Sequence, residues 1–383
     1  MEVKECRKIV FVIGNGFDLD LGLKTSYKDF YESKYCPKDY PARIIKHLNE
    51  KWSNNLEAVK WYDLENELLE YFRYAKLNRN ISTDLLTKKE HEFINAVNPD
   101  CLIRGYYAAY EEQITELTRK GIIQFNDLGH NIYMTIPYLD DLKESGVYRD
   151  KKAVELIKEG LCKYVSDAAQ AVIEDNSCAF NVLFAISRAK DNEHDVNVYN
   201  FNYTPLPYPH RDMSSLASIT HHIHGNCQTG KIIIGTQDSD EFNRDYDFLQ
   251  KSFDPNFNPP ALVYDLLDAD DVVIFGHSIG VNDRQYFKAF FIQQSSTTAP
   301  RKKKIRIFTK DDKSEVEIKR SLQQMTDHNL STLYGINDLQ IIKTAKIKDA
   351  PSQFRAFMKE YISDDRYVNP AMEQLLEKLR SES

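Results

Sequence analysis

The stretch KIVFVIGNGFDLDLGL, from Lys8 to Leu23, decides the fold of this chain. Its first part, KIVFVIG, is a short apolar run with β-branched residues, which predicts a fully buried strand. The run breaks at Gly14 and Gly16, and this break predicts a turn into a helix. Glycines at such a turn let backbone N–H groups approach a ligand, and the helix N-terminus favours an anion such as a pyrophosphate. Two glycines after a strand are also ordinary turn chemistry, so this motif alone leaves both interpretations open.

The composition excludes several classes of protein. The chain has 383 residues, a formal net charge of −8 and 28% charged residues. This acidic balance argues against direct binding of nucleic acid. No apolar stretch approaches the ~20 residues that span a bilayer, and the N-terminus has no signal-peptide core. We therefore expect a cytoplasmic protein without membrane contact.

The six cysteines are scattered and form no CxxC pair. In a reducing compartment such cysteines are small buried residues, so neither a disulfide framework nor a zinc ribbon is expected.

Strand and helix patterns alternate along the chain and predict an α/β protein with a parallel sheet. Strand-like runs occur at 8–14, 196–202, 218–224, 231–235, 271–276, 304–309 and 338–343. The section between the first two runs is mainly helical in pattern, for example from Asp63 to Lys76. We expect an α/β domain built from 1–37 and 191–350, a helical insertion at 38–190, and a helical, polar tail at 351–383.

Two asparagines mark the end of the second strand run, VNVYNFNYT, from Val196 to Thr204. Strand periodicity places Asn200 and Asn202 on one face. Open α/β sheets bind ligands at the C-terminal ends of their strands, which makes both amides candidates for a site. The alternative is that they only tie loop backbone together.

The segment ITHHIHGN contains three histidines. His224 directly precedes Gly225 at a strand end, where a histidine can act as a general base near neutral pH and the glycine permits close approach. His221 and His222 fit structural roles. Because no carboxylate or cysteine lies at a ligand-like spacing, no metal site is expected.

A buried strand runs into the loop GHSIG, Gly276 to Gly280, and then into an amphipathic helix. The loop matches the GxSxG nucleophile elbow of α/β-hydrolases, with Ser278 as the nucleophile. A triad in that chain order needs an acid and then a histidine downstream. The only later histidine is His328, in a polar stretch, so a serine esterase is the weaker interpretation.

Taken in order, these segments resemble the AbiH family of phage abortive-infection proteins. The resemblance rests on IGNGFDLDLGLKTSY, a WxDLE at Trp61 to Glu65, NFNYT, HIHGN and FGHSIGVNDRQYF, and runs from about residue 8 to residue 310. The chain also resembles the sirtuin fold and its NAD-hydrolysing relatives in its glycine loop, its HG pair and its GHSI segment. Thr204 stands where the sirtuin pattern has an acid, and the sirtuin four-cysteine zinc module is absent, so deacylation is disfavoured.

The resemblance implies a Rossmann-like parallel sheet of sirtuin type with a large helical insertion, and a pocket for NAD at the strand C-termini. It implies that Asn202 orients a water or a ribose hydroxyl and that His224 takes the proton. The implied nucleotide contacts come from the glycine loop and the later strand ends: Gly14, Asn15, Gly16, Phe17, Asp18, Thr204, Gly225, Gly276, His277, Ser278 and Asp283.

Three acidic residues keep two interpretations each. Asp18 either contacts the ribose or caps the helix beyond it. Asp283 is either a site residue or a cap of the helix that follows. Glu65 could reach over the pocket from the insertion, but a solvated helix glutamate is the favoured interpretation.

The predicted function is an anti-phage protein that binds NAD and hydrolyses it to nicotinamide and ADP-ribose. The first alternative is a nucleotide sensor without turnover, in which Thr204 marks lost catalysis. The second is the esterase that uses Ser278. Expected partners are the nucleotide, a phage-derived trigger protein and further copies of the chain.

Overall fold

The computed structural model describes a defined part of the chain. The described residues are 6–53, 63–77, 87, 89–90, 92–93, 104–120, 124–128, 131–135, 146–173, 177–191, 194–206, 211–238, 244–258, 261–299, 301–346 and 351–361.

A parallel sheet of six strands forms the centre of the fold. In chain order the strands of the structure are β1 (Lys8–Ile13), β2 (Gln124–Leu128), β3 (Asn131–Thr135), β4 (Asp195–Asn200), β5 (Thr220–His222), β6 (Gly225–Asn226), β7 (Lys231–Ile232), β8 (Asp271–Phe275), β9 (Lys304–Thr309) and β10 (Asp338–Lys343). The main sheet has the order β10-β9-β8-β1-β4-β5, and all its neighbouring strands are parallel. With only these strands numbered, the order is 3-2-1-4-5-6, which is typical of doubly wound dinucleotide-binding sheets. The predicted parallel α/β sheet is confirmed.

The strand predictions differ from the structure mainly at the short strands. The runs predicted at 304–309 and 338–343 match the observed strands, whereas 218–224 shrinks to the three residues of β5. The run predicted at 231–235 does not join the main sheet, because β7 pairs antiparallel with β6. Within the section predicted to be mainly helical, β2 and β3 form an antiparallel hairpin.

Helices surround the sheet and form the insertion. They are α1 (Asn15–Asp20), α2 (Tyr27–Glu32), α3 (Arg43–Ser53), α4 (Leu64–Leu77), α5 (Arg104–Arg119), α6 (Gly146–Ala168), α7 (Cys178–Asp191), α8 (Leu262–Asp268), α9 (Arg284–Gln294), α10 (Asp312–Met325), α11 (Leu330–Ile336) and α12 (Pro351–Tyr361). Among the described residues, no helix combines the length and the apolar character that crossing a bilayer requires.

The sheet is buried on both faces, which explains why its strands are almost continuously apolar. Alternate residues of β1 belong to opposite hydrophobic clusters, with Phe11 packed toward α7 and α12 and Val12 packed toward α8, α9, α10 and α11. The first cluster includes Phe354 and Phe357 of α12. The described part of the predicted tail is therefore helical as expected, but one of its faces belongs to the core.

A third hydrophobic cluster lies in the insertion. It joins α3, α4 and α6 with apolar side chains that follow β5 in the chain, including Cys227, Ile232 and Leu249. By contrast, α7 packs on the sheet although it falls inside the predicted insertion limits. The predicted division of the chain at 38–190 stays a prediction.

Candidate functional site

The strand order of the main sheet reverses between β1 and β8, and the loops after these two strands meet. The N–H of Gly14 donates to the carbonyl of Phe275 at 2.9 Å, and the N–H of Gly16 donates to the carbonyl of Gly276 at 2.9 Å. Open α/β sheets bind ligands at such a switch point. Here the two loops that were predicted to hold a nucleotide are hydrogen-bonded to each other.

Close packing of these loops explains their glycines. A Cβ on Gly14 would lie 2.5 Å from the Cα of His277, and a Cβ on Gly16 would lie 2.7 Å from the Cα of Gly276. Gly276 also has a φ of 65°, a left-handed conformation that favours glycine. The amides of Gly14 and Gly16 have protein partners, and a pyrophosphate contact at this loop stays a prediction.

The two residues between and after these glycines contact protein groups. The Oδ1 atom of Asn15 accepts from the hydroxyl of Thr25 at 2.8 Å. Phe17 is fully buried and packs edge-on against Phe11 and Phe275. The Phe17 side chain is therefore a core residue, and the predicted cofactor contact does not fit it.

Asp18 lies at the centre of a buried polar group. Its Oδ1 accepts from Asn202 Nδ2 at 2.9 Å, and its Oδ2 accepts from the Thr204 hydroxyl at 2.6 Å. Asn202 Nδ2 also donates to the carbonyl of Gly14 at 3.1 Å, so it ties the glycine loop to β4. Burial raises the pKa of Asp18 to about 6, although its hydrogen bonds oppose the shift. The cap interpretation of Asp18 is wrong, because the Ser26 side chain caps α2.

Five titratable side chains form what we call the charged cluster: Glu65, His224, Lys251, His277 and Asp283. Lys251 is 1% exposed and lies at the centre of the cluster. Its Nζ lies 3.1 Å from Glu65 Oε2, 3.1 Å from His224 Nε2 and 3.0 Å from Asp283 Oδ1. An ammonium group has three N–H donors, so each donor has one acceptor.

The hydrogen bonds fix the tautomer of His277, whereas the Nε2 of His224 faces both a donor and an acceptor. Lys251, 3.1 Å from this atom, can only donate, and the Asp283 carboxylate, 3.2 Å from it, can only accept; a neutral His224 that accepts from Lys251 has its proton on Nδ1. His277 Nδ1 accepts from the N–H of Ile279 at 2.9 Å, so its Nε2 donates to Asp283 Oδ2 at 3.3 Å. The Asp283 carboxylate makes no capping hydrogen bond to α9 among the described residues. Asp283 thus occupies the N-cap position of α9, but its side chain serves the cluster and does not cap the helix.

The surroundings move the pKa values of the cluster apart. Burial raises the pKa of Glu65 to about 8, although Lys251 opposes the shift. Burial also lowers the pKa of His224, and the charge of Lys251 lowers it further. For Asp283, burial opposes ionisation, yet the charge of Lys251 holds its pKa well below the usual range. Near neutral pH the cluster therefore contains an ionised Asp283, a charged Lys251 and a neutral His224, and burial favours the protonated form of Glu65.

For Glu65 and Lys251, the structure differs most from what the sequence predicts. Glu65 is 8% exposed, so its interpretation as a solvated glutamate is wrong. The WxDLE pattern was the signal for it, and Trp61 lies outside the described residues. Lys251 was missed, because it follows Leu249 and Gln250 in a segment without a motif.

The geometry of the GHSIG loop does not favour a nucleophile elbow. An elbow places its serine on a strained turn and uses the following N–H for the oxyanion. Here Gly276 and Ile279 have the positive φ angles, and the N–H of Ile279 donates to His277. Ser278 and His328 are both exposed.

The other residues of the HIHGN region have local partners. Gly225 has a φ of 81°, and a Cβ there would lie 1.9 Å from the carbonyl oxygen of Lys231, so its close neighbour is β7. His222 Nε2 lies 3.1 Å from Asn226 Nδ2, and His221 is exposed and stacks on Tyr199. These contacts agree with structural roles for His221 and His222.

The fold and the site together define a doubly wound α/β protein with buried ionisable side chains at the C-terminal edge of its sheet. The family model described as Bacteriophage abortive infection AbiH matches residues 10–302 of the chain. The chain therefore belongs to the AbiH family of abortive-infection anti-phage defence proteins. No match to a curated protein and no match to a solved structure was found.

Proposed function

We propose that this AbiH protein binds NAD at the switch point between β1 and β8 and hydrolyses it to nicotinamide and ADP-ribose. The observation that carries the proposal is the charged cluster at the C-terminal edge of a sheet with the dinucleotide-binding strand order. Buried ions cost several kcal/mol each and seldom improve stability, whereas ligand and catalytic sites use them. We choose NAD among the nucleotides because the glycine loop, the HG pair and the GHSI segment of the sequence resemble those of NAD-hydrolysing sirtuin relatives.

The proposed reaction transfers the ADP-ribosyl group of NAD from nicotinamide to water. The bond between ribose C1′ and the nicotinamide nitrogen breaks, and its electron pair leaves with neutral nicotinamide. The water oxygen bonds to C1′, which has oxocarbenium character, and the water proton goes to Nε2 of neutral His224 after the Lys251 ammonium has left this nitrogen. Asn202 orients the water or a ribose hydroxyl through its amide oxygen, because its amide nitrogen is held by Gly14 and Asp18.

In the closed cluster the substrate does not have free access to this base. The His224 side chain is 7% exposed, and Glu65 of α4 contacts Lys251, which covers the same imidazole. The proposed reaction therefore needs the α4 side of the cluster to open.

A nucleotide sensor is the second candidate, and one observation favours it. Asn202 and Thr204 both bond the carboxylate of Asp18, so in this structure they serve the fold. In a sensor, bound NAD or ADP-ribose would shift the protein between conformations of the helical insertion, without turnover.

The experiment follows nicotinamide release by chromatography after incubation of the purified full chain with NAD. The variants are His224→Ala, Asn202→Ala and the matched control His221→Ala, which removes an exposed histidine from β5. We expect release by the wild type and the control, and a loss of about a hundredfold in the other two variants. Retention of NAD without release would select the sensor. Neither binding nor release would overturn the proposal.

A further inference from the structure

We propose that Lys251, held in place by Glu65 of the insertion, is a positioning residue that keeps His224 neutral while the cluster is closed. The consequence for NAD turnover rests on the proposed function. The link between the three side chains rests on their geometry alone.

His224 lies between two opposite charges at nearly equal distances. Its Nε2 is 3.1 Å from Lys251 Nζ and 3.2 Å from Asp283 Oδ1. A carboxylate at this distance favours the protonated imidazole, whereas an ammonium disfavours it. Asp283 also faces Lys251 and His277, so its charge is shared among three partners. Burial, and after it the charge of Lys251, therefore favour the neutral imidazole against the Asp283 carboxylate.

Three further titratable groups surround the cluster, and they come from different elements. They are Asp63 before α4, Tyr203 after β4 and Tyr286 in α9. Tyr203 donates its hydroxyl to the carbonyl of Ile233 at 3.1 Å. The direct contacts of Lys251 are with the cluster members Glu65, Asp283 and His224.

Helix α4 of the insertion touches the sheet edge at two neighbouring points. Glu65 contacts Lys251, and the side chain of Asn66 accepts from Asn282 Nδ2 at 3.3 Å. A movement of α4 away from the sheet edge removes one of the three acceptors of Lys251. The position of the insertion is therefore coupled to the protonation of His224.

The test measures the titration of His224 by NMR in the full chain labelled with ¹³C-histidine. The His224 signal is assigned with a His224→Gln variant. In Lys251→Met we expect the midpoint to move to higher pH by about one unit or more, because Asp283 then acts on the imidazole without opposition. The control Lys158→Met removes another partly buried ammonium, which pairs with Asp254 in the segment that follows Lys251, and should leave the midpoint unchanged.

Two substitutions of Glu65 test the holding role. In Glu65→Ala the midpoint should move in the same direction as in Lys251→Met. In Glu65→Gln it should stay near the wild-type value, because the amide oxygen still accepts from Lys251 and resembles a protonated carboxyl group. The control Glu70→Gln changes an exposed ion pair of the same helix and should have no effect.

Circular dichroism checks that each variant is folded. If Lys251→Met does not fold, the comparison of Glu65→Ala with Glu65→Gln decides the matter. An unmoved His224 midpoint in a folded Lys251→Met or Glu65→Ala variant would overturn the inference. The titration requires no turnover, so a moved midpoint in a protein that releases no nicotinamide would reject the proposed function and keep the inference.

Discussion

Replacement of Gly276 by alanine should destabilise the protein strongly. The left-handed φ of 65° costs a non-glycine residue about 1–2 kcal/mol. The new Cβ would lie 2.3 Å from the amide nitrogen of Phe17 and 2.5 Å from the Cα of Gly16, which are backbone atoms that cannot rotate away. Overpacking of this kind costs about 1–3 kcal/mol, and separation of the loops loses the bond from Gly16 to Gly276, a further ~1–3 kcal/mol. We expect a loss of about 4 kcal/mol or more in the free energy of unfolding.

Alanine substitutions at three other glycines measure separately the cost of the positive φ and the cost of the close contacts. In Gly16→Ala the Cβ meets the Cα of Gly276 at 2.7 Å without a positive φ, which predicts a cost of about 2–3 kcal/mol. Gly230 has a φ of 69° and meets no described atom within 4 Å, so its substitution should cost about 1 kcal/mol. Gly335, in α11, has neither constraint, and alanine there should stabilise the protein by about 0.5–1 kcal/mol.

Urea unfolding of the four variants, followed by circular dichroism, measures these changes. The expected order of stability is Gly335→Ala, wild type, Gly230→Ala, Gly16→Ala and then Gly276→Ala. If Gly276→Ala costs no more than Gly230→Ala, the two strand-end loops are not packed against each other. The backbone of the two glycine loops would then be available to contact a ligand.

Two further predictions concern Asp18 and Ser278. Burial raises the pKa of Asp18 to about 6 from 3.8, so the folded protein holds this proton more tightly than the unfolded chain does. The stability that this proton contributes is complete below about pH 4 and is lost as the pH rises through 6. In urea unfolding, the advantage of the wild type over Asp18→Asn should therefore shrink by about 2–3 kcal/mol from pH 4 to pH 8. A difference that stays constant with pH would contradict the raised pKa of Asp18. Ser278→Ala should raise the KM for NAD by up to about tenfold with little change in kcat. The wild type should resist labelling of Ser278 by a fluorophosphonate. Labelling of Ser278, together with loss of kcat in Ser278→Ala, would favour the esterase.

The sheet could be predicted from sequence because its signals are local. The strands β1 and β8 are short apolar runs that end in glycine. For β9 and β10, the limits predicted from the sequence equal the limits in the structure. A strand buried on both faces leaves this pattern in any chain. The short strands β6 and β7 were not predicted correctly, because two residues that pair across a turn carry no periodicity.

The charged cluster could not be predicted in the same way. A lysine or glutamate in a sequence predicts a solvent-exposed side chain, since both are rarely buried unless they are paired. The pairing of Glu65 with Lys251 exists only after α4 and the segment after β7 come together, and no spacing along the chain encodes it. The function of the glycine loop could not be predicted from sequence for a related reason. A backbone that allows close approach has the same sequence whether the approaching group is a nucleotide or another loop.

These two features meet at one residue. The Cα of His277 is the atom that a Cβ on Gly14 would strike, and its imidazole contacts Asp283, which in turn contacts Lys251 and His224. The glycine packing therefore sets the position of the charged cluster. Under the proposed function, a nucleotide that enters between the two loops replaces the hydrogen bond from Gly16 to Gly276, the residue directly before His277. Under the proposed function, the contact that admits the pyrophosphate thus also moves the side chains that hold the base.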